Sequence, residues 1–217
     1  MENESLNKTL TANMINYEFV AAEHAKNRLS EQIAAIENGN AFHIPRRFIS
    51  AKISDFKEKY DCAYNESLFI QGACGTGKTH LAVAIAKGLY LKRIRESQKE
   101  MDISPDIFYN FQEIAIKVKS SFRTQDESMF DVIRPCLTRF KIIDDIGAAK
   151  PTETTIEALY LVVNTRYDDC LPTIYTSNLT LKEMSGSYGD RIASRLAACT
   201  QIKLVGADRR IIQAPEK

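Results

Sequence analysis

The chain has 217 residues and a formal net charge of +1; 44% of its residues are hydrophobic and 26% charged. That length suits one domain with a small appendage, and the charge balance makes no bulk demand for nucleic acid or membrane, so any DNA contact has to come from a local patch. No apolar run approaches the ~20 residues of a membrane span, the polar opening "MENESLNKTLTANMINYEFV" is not a secretory signal, and five scattered cysteines without a CxxC pair indicate neither zinc nor a disulfide framework. The expectation is a reduced, cytoplasmic protein with no membrane partner.

In chain order, residues 17–38 read as an amphipathic helix, because Ala22, Ala25, Leu29, Ile33 and Ile36 recur at spacings of 3 and 4. "NGN" at 38–40 stops it. Such a helix either packs on its own domain or binds a partner. "HIPRRFISAKISDF" (43–56) reads as an irregular linker broken by Pro45.

Strands and helices then alternate. "LFIQG", "DIFYNF", "RFKIIDDIG", "PTIYTSN" and "TQIKLVG" are strand-like; "GKTHLAVAIAKGLYLKRI", "FQEIAIKVKSSF", "TTIEALYLVVNTRYDD" and "YGDRIASRLAA" are helical. In the third of these helices Leu159, Val162, Val163 and Tyr167 fall on one side. Alternation of this kind predicts an α/β fold with a parallel sheet covered by helices on both faces. Ligands of such sheets bind at the carboxyl ends of the strands.

Gly72, Gly77, Lys78 and Thr79 in "GACGTGKT" fit G-x-x-x-x-G-K-[ST]. The glycines let the loop curl so that backbone N–H groups of Gly72, Ala73, Cys74, Gly75, Thr76 and Gly77 turn toward phosphate oxygens. The next helix presents its positive N-terminus, with Lys78, Thr79 and His80, to the same anion. Lys78 neutralises the β and γ phosphates of ATP, and Thr79 offers a hydroxyl to Mg²⁺. A chance glycine-rich turn is the alternative; the strand before and the helix after argue against it.

An acidic residue ending a buried strand should complete the site, and "FKIIDD" supplies Asp144 and Asp145. Successive strand residues point opposite ways, so Asp144 is assigned to the metal and Asp145 to polarising the attacking water. Asn178, ending "IYTSN", stands at the tip of the next strand, where its amide could meet both γ-phosphate and water; Ser177 and Thr176 are weaker candidates. Cys74 holds a variable position of the loop and is read as a filler, with a phosphate-site thiol of lowered pKa as the sharper alternative.

Together "GTGKTHLAVAIA", "KIIDDIG", "NTRYDDCLPTIYTSN" and "GDRIASRL" resemble the AAA+ ATPases of the DnaC/DnaI helicase-loader and IstB group, over residues 43–210. The resemblance implies a P-loop AAA+ three-layer sandwich for residues 43–217 with a reduced C-terminal lid, preceded by a short helical partner-binding segment at 1–42. It implies that Asn178 is a sensor I residue, that Arg195 or Arg191 is an arginine finger reaching a neighbouring subunit's nucleotide, favouring Arg195, and that Arg210 (or Arg209) is near the sensor II position. Asp145 stands where AAA+ proteins at large carry glutamate, which implies slow hydrolysis.

The implied function is a Mg²⁺-dependent ATPase that assists loading of a hexameric replicative DNA helicase onto single-stranded DNA. A transposase helper of the IstB kind, or an ATP-switched adaptor with little turnover, are the competing readings. For the DNA, "YNFQEIAIKVKSSFR" offers Lys117, Lys119, Arg123, Phe111 and Phe122. Core aromatics with solvated lysines explain the same stretch.

Overall fold

A computed structural model describes residues 2–58, 60, 62–124 and 127–209, with side chains of the first helix from Val20 onward. Helix α1 runs Glu2–Glu37. It begins well before residue 17 because no glycine or proline precedes Gly39. It stops where expected: Gly39 has φ 73°, and a Cβ there would lie 2.9 Å from the Ile49 carbonyl oxygen.

Among the described side chains of α1, those of the last turns pack inward. Ile36 is fully buried, with Leu29 and Ile33 against the same core, whereas residues 20–28 are exposed. Gln32 fixes the contact by bonding the Met101 backbone twice, donating at 2.7 Å and accepting at 3.0 Å.

The stretch expected to be an irregular linker is instead a packed segment. It makes two 3₁₀ turns, Arg46–Phe48 and Ile53–Asp55, and buries Ala51 and Phe56. Helix α2 (Lys78–Ser97) is its floor. The buried Lys87 ammonium donates to the Ile49 carbonyl at 2.7 Å, and burial pushes its pKa below the usual lysine value. Gly88 leaves room for Ile53, whose Cδ1 would sit 2.8 Å from a Cβ at that position.

Five parallel strands form one sheet: β1 (Leu68–Gly72), β2 (Phe108–Asn110), β3 (Lys141–Asp144), β4 (Thr173–Ser177) and β5 (Thr200–Leu204). Their order is β2-β3-β4-β1-β5. Alternation along each strand feeds two cores. Leu68, Ile70, Ile142 and Ile174 meet α2 and the end of α1 on one face. Phe69, Ile143 and Tyr175 face the other way, onto α3 (Phe111–Thr124), α5 (Glu153–Asp168), α6 (Leu181–Tyr188) and α7 (Asp190–Ala197). The result is a three-layer α/β sandwich.

Three local expectations change. Two short helices were not foreseen, α4 (Met129–Ile133) and α6; each starts at a capping box, Ser128/Asp131 and Thr180/Glu183, that supplies the nucleus its few turns lack. Tyr167 does not join Leu159, Val162 and Val163 in the core; it is 52% exposed. Arg166 is buried in its place. Its guanidinium donates to the Thr173 hydroxyl and to the carbonyls of Cys136, Arg139 and Pro172, which ties α5 to the starts of β3 and β4 and sets the level of their far ends.

Candidate nucleotide site

The loop from Gly72 to Gly77 joins β1 to α2 at the carboxyl edge of the sheet. Gly75 (φ 76°) and Gly77 (φ 97°) hold left-handed conformations that side chains resist. Thr76 pins the curl by donating to the Ala73 carbonyl at 2.9 Å. Lys78, 8% exposed, folds back and donates to the carbonyls of Gly72 and Ala73, both at 2.9 Å. Its charge therefore lies over the loop, as a phosphate-binding lysine requires. Cys74 is exposed in the same loop.

Strand order puts β4 between the loop-bearing β1 and the aspartate-bearing β3. Asp144, 5% exposed, ends β3. Its carboxylate accepts from Thr176 Oγ1 at 2.7 Å and from the Thr79 side chain. Burial pushes its pKa above the usual carboxylate value, with the bonds from Thr176 and Thr79 opposing and the neighbouring Asp145 charge adding to the rise. A buried carboxylate beside the first-turn hydroxyl of α2 and a lysine over the loop is a donor set that fits a nucleotide phosphate and a hard divalent cation.

Asp145 is not the next residue of a straight strand. Its φ is 60°, so it leaves β3 through a left-handed turn, and this turn, not strand alternation, separates it from Asp144. Its N–H donates to Thr176 Oγ1 at 2.9 Å. The ends of β3 and β4 are further stapled where Ser177 Oγ donates to the Ile146 carbonyl at 2.6 Å and Ile146 N–H to Thr176 O at 2.9 Å. Asn178 follows directly and is exposed.

So Gly72–Thr79, Asp144, Asp145 and Asn178 gather at one edge of the sheet. His80, Arg191 and Arg195 do not join them, whereas Arg209 does: its N–H donates to the Gly75 carbonyl at 3.0 Å. The His80 ring turns to the packed segment: Nε2 lies 2.6 Å from Asp55 Oδ2, and the ring meets Phe48 and Phe56. The bond holds the Asp55 pKa below the usual carboxylate value. Arg195 lies at the opposite edge, lining a cavity of about 220 Å³ with Ser67, Leu171 and Cys199, residues just before β1, β4 and β5. Its guanidinium covers the rings of Tyr160 and Tyr167, and its Nε is buried without a partner among the described residues. Arg191, at the start of α7, is exposed. Arg210 lies outside the described residues.

Two features escaped the sequence reading. Thr176, a weaker candidate there, is the hydroxyl that bridges both aspartates. Asp208 sits against Gly75, across the chain. Neither leaves a local signal, since both depend on which strands are neighbours.

A parallel α/β sheet with a glycine-rich phosphate loop, a strand-end aspartate and a third strand between them defines a P-loop nucleotide-binding fold of AAA+ type. The chain belongs to the family of IstB-like ATP-binding proteins, which it matches over residues 25–199. The structure is similar to that of the DnaC helicase loader (TM-score 0.58, 18% identity, 74% of this chain and all of that one). It is similar also to DnaI (TM-score 0.59, 21% identity, 76% of this chain and 96% of that one). In sequence it is 31% identical over 169 residues to the chromosomal replication initiator DnaA of Leifsonia xyli subsp. xyli, covering 76% of this chain and 33% of DnaA. The chain spans about a third of the length of the curated relatives it matches. Among the described residues no helix is long and apolar enough to cross a membrane.

Proposed function

We propose that the protein binds and hydrolyses ATP with Mg²⁺ and uses that cycle to help place a hexameric replicative helicase on single-stranded DNA. The observation that carries the nucleotide reading is Asp144 buried between the hydroxyls of Thr176 and Thr79, at the mouth of a loop already curled around Lys78. When bound, Mg²⁺ supplies charge neutralisation to the β and γ phosphates.

The chain's own groups do the rest. Lys78 exchanges its two loop carbonyls for phosphate oxygens. Thr79 and Asp144 hold the metal. Asp145, set apart by its left-handed turn, and the exposed amide of Asn178 orient the attacking water. Arg195, too far along the sheet for its own nucleotide, serves a neighbouring copy, with Arg191 one turn away as the alternative. Backbone N–H groups from Gly72 to Gly77, the start of α2 through His80, and Arg210 complete the nucleotide contacts.

For the DNA, α3 supports a narrower surface than its sequence suggests. Phe111 is fully buried and is no stacking residue. Phe122 is 59% and Ile116 62% exposed, and they share an open groove with Lys119, Ser120, Arg123 and Thr154. An aromatic face flanked by two cations suits a base and its phosphates. Lys117 is exposed outside that groove.

The exposed stretch of α1 at residues 20–28 is the surface proposed for the helicase. Co-purification with a hexameric helicase, with and without ATP, tests this: a complex strengthened by ATP is expected, and no complex in either condition removes the loader reading. Capture of a transposase in its place, with assembly on duplex DNA, would support the IstB-type helper role. The adaptor reading predicts an ATP-dependent complex without phosphate release.

A further inference from the structure

We propose that Asp208 is an anionic occupant of the phosphate loop, which nucleotide must displace, so that filling the site and releasing the segment after β5 are one event. The proposal rests on the nucleotide reading above.

The chain leaves β5 at Leu204, turns at Gly206 and comes back over the loop. There the Asp208 carboxylate presses on Gly75 so closely that a Cβ on Gly75 would lie 2.0 Å from Oδ1 and 2.4 Å from Oδ2. The next residue fastens it. Arg209 N–H donates to the Gly75 carbonyl at 3.0 Å, and its side chain covers Gly77, where a Cβ would be 3.3 Å from Arg209 Cδ. The Arg209 guanidinium lies 4.3 Å above the Phe56 ring, which itself meets His80 at the start of α2. Both left-handed glycines of the loop are thus covered by residues 208 and 209.

The charge of this latch has a consequence. A loop whose N–H groups and lysine are arranged for phosphate attracts any anion, and a carboxylate at Gly75 takes advantage of that field. An incoming triphosphate meets the same field with a negative charge already on it, and like charges a few ångströms apart repel strongly at partial exposure. By linkage, whatever draws residues 206–209 off the loop raises nucleotide affinity by the factor with which nucleotide favours their release.

The test is binding of a fluorescent ATP analogue to the full chain and to Asp208→Asn and Asp208→Ala, with Lys78→Ala as control. The Asn variant keeps the shape and removes the charge. Asp208 is half-exposed, so neither change threatens the core. Both variants should bind about tenfold tighter than the native chain, and the gain should shrink as salt is raised. Unchanged or weaker binding by Asp208→Asn overturns the proposal. Binding by neither the native chain nor either variant removes the nucleotide reading, and the latch with it.

Discussion

The hydroxyl of Thr176 donates a 2.7 Å hydrogen bond to the buried carboxylate of Asp144. The same oxygen accepts the N–H of Asp145 at 2.9 Å, so one side chain on the central strand sets both acidic residues. Thr176→Val keeps the shape and removes the bridge. A buried acceptor stripped of its donor costs ~1–3 kcal/mol, and the aspartates lose their register. The expected outcome is a lowered melting temperature with ATP turnover reduced at least tenfold, and recovery of both in Thr176→Ser.

Asp144 separates stability from activity. Its pKa is raised in the folded chain, so between the unfolded and folded values the native state holds more protons than the unfolded one, and stability falls as pH rises. Neutralising the group removes that cost. Asp144→Asn should therefore be as stable as the native chain or more so at neutral pH, with a flatter pH dependence above the carboxylate range, while losing Mg²⁺-dependent hydrolysis. Urea titrations at several pH values, beside a phosphate assay, check both halves.

Arg195 and Lys78 lie at opposite edges of one sheet, so a finger role for Arg195 has to be filled between copies. Lys78→Ala and Arg195→Ala should each be inactive alone, whereas a mixture should regain part of the activity, because an Arg195→Ala cradle meets the Arg195 of a Lys78→Ala subunit. A mixture as inactive as its parts argues against action between subunits. The same experiment with Arg191→Ala shows which arginine is used.

The α3 groove makes a separate claim. Phe122→Ala should weaken single-stranded DNA binding by ~1–3 kcal/mol at fixed salt. Lys119→Ala with Arg123→Ala should reduce the salt dependence of binding by about two phosphate contacts. Lys117→Ala, outside the groove, should change little. Fluorescence anisotropy across a salt series reads all three.

Much of the fold can be read from local pattern. The loop 72–79 carries its own glycines, and β1, β3 and β4 carry apolar stretches of their own, while β5 shows an alternation of Ile202 and Leu204 with polar residues. What could not be read depends on neighbours. Asp145 looks like a fifth residue of a strand until the turn at φ 60° is seen. Thr176 gains its role only because β4 lies beside β3. Arg195 is four residues from Arg191, yet its surroundings are tyrosines of α5, which helix periodicity alone does not bring together. The segment 43–56 lacks periodicity and so reads as linker, although Lys87 and Gly88 of α2 are shaped to receive it. Residues 208 and 209 meet the loop across most of the chain.

The most direct test of the account is phosphate release from ATP by the native chain, Lys78→Ala and Asp145→Asn, in the presence of single-stranded DNA and a hexameric helicase. The account predicts measurable turnover by the native chain, loss of both binding and turnover in Lys78→Ala, and retained binding without turnover in Asp145→Asn. Undiminished turnover in either variant would contradict it.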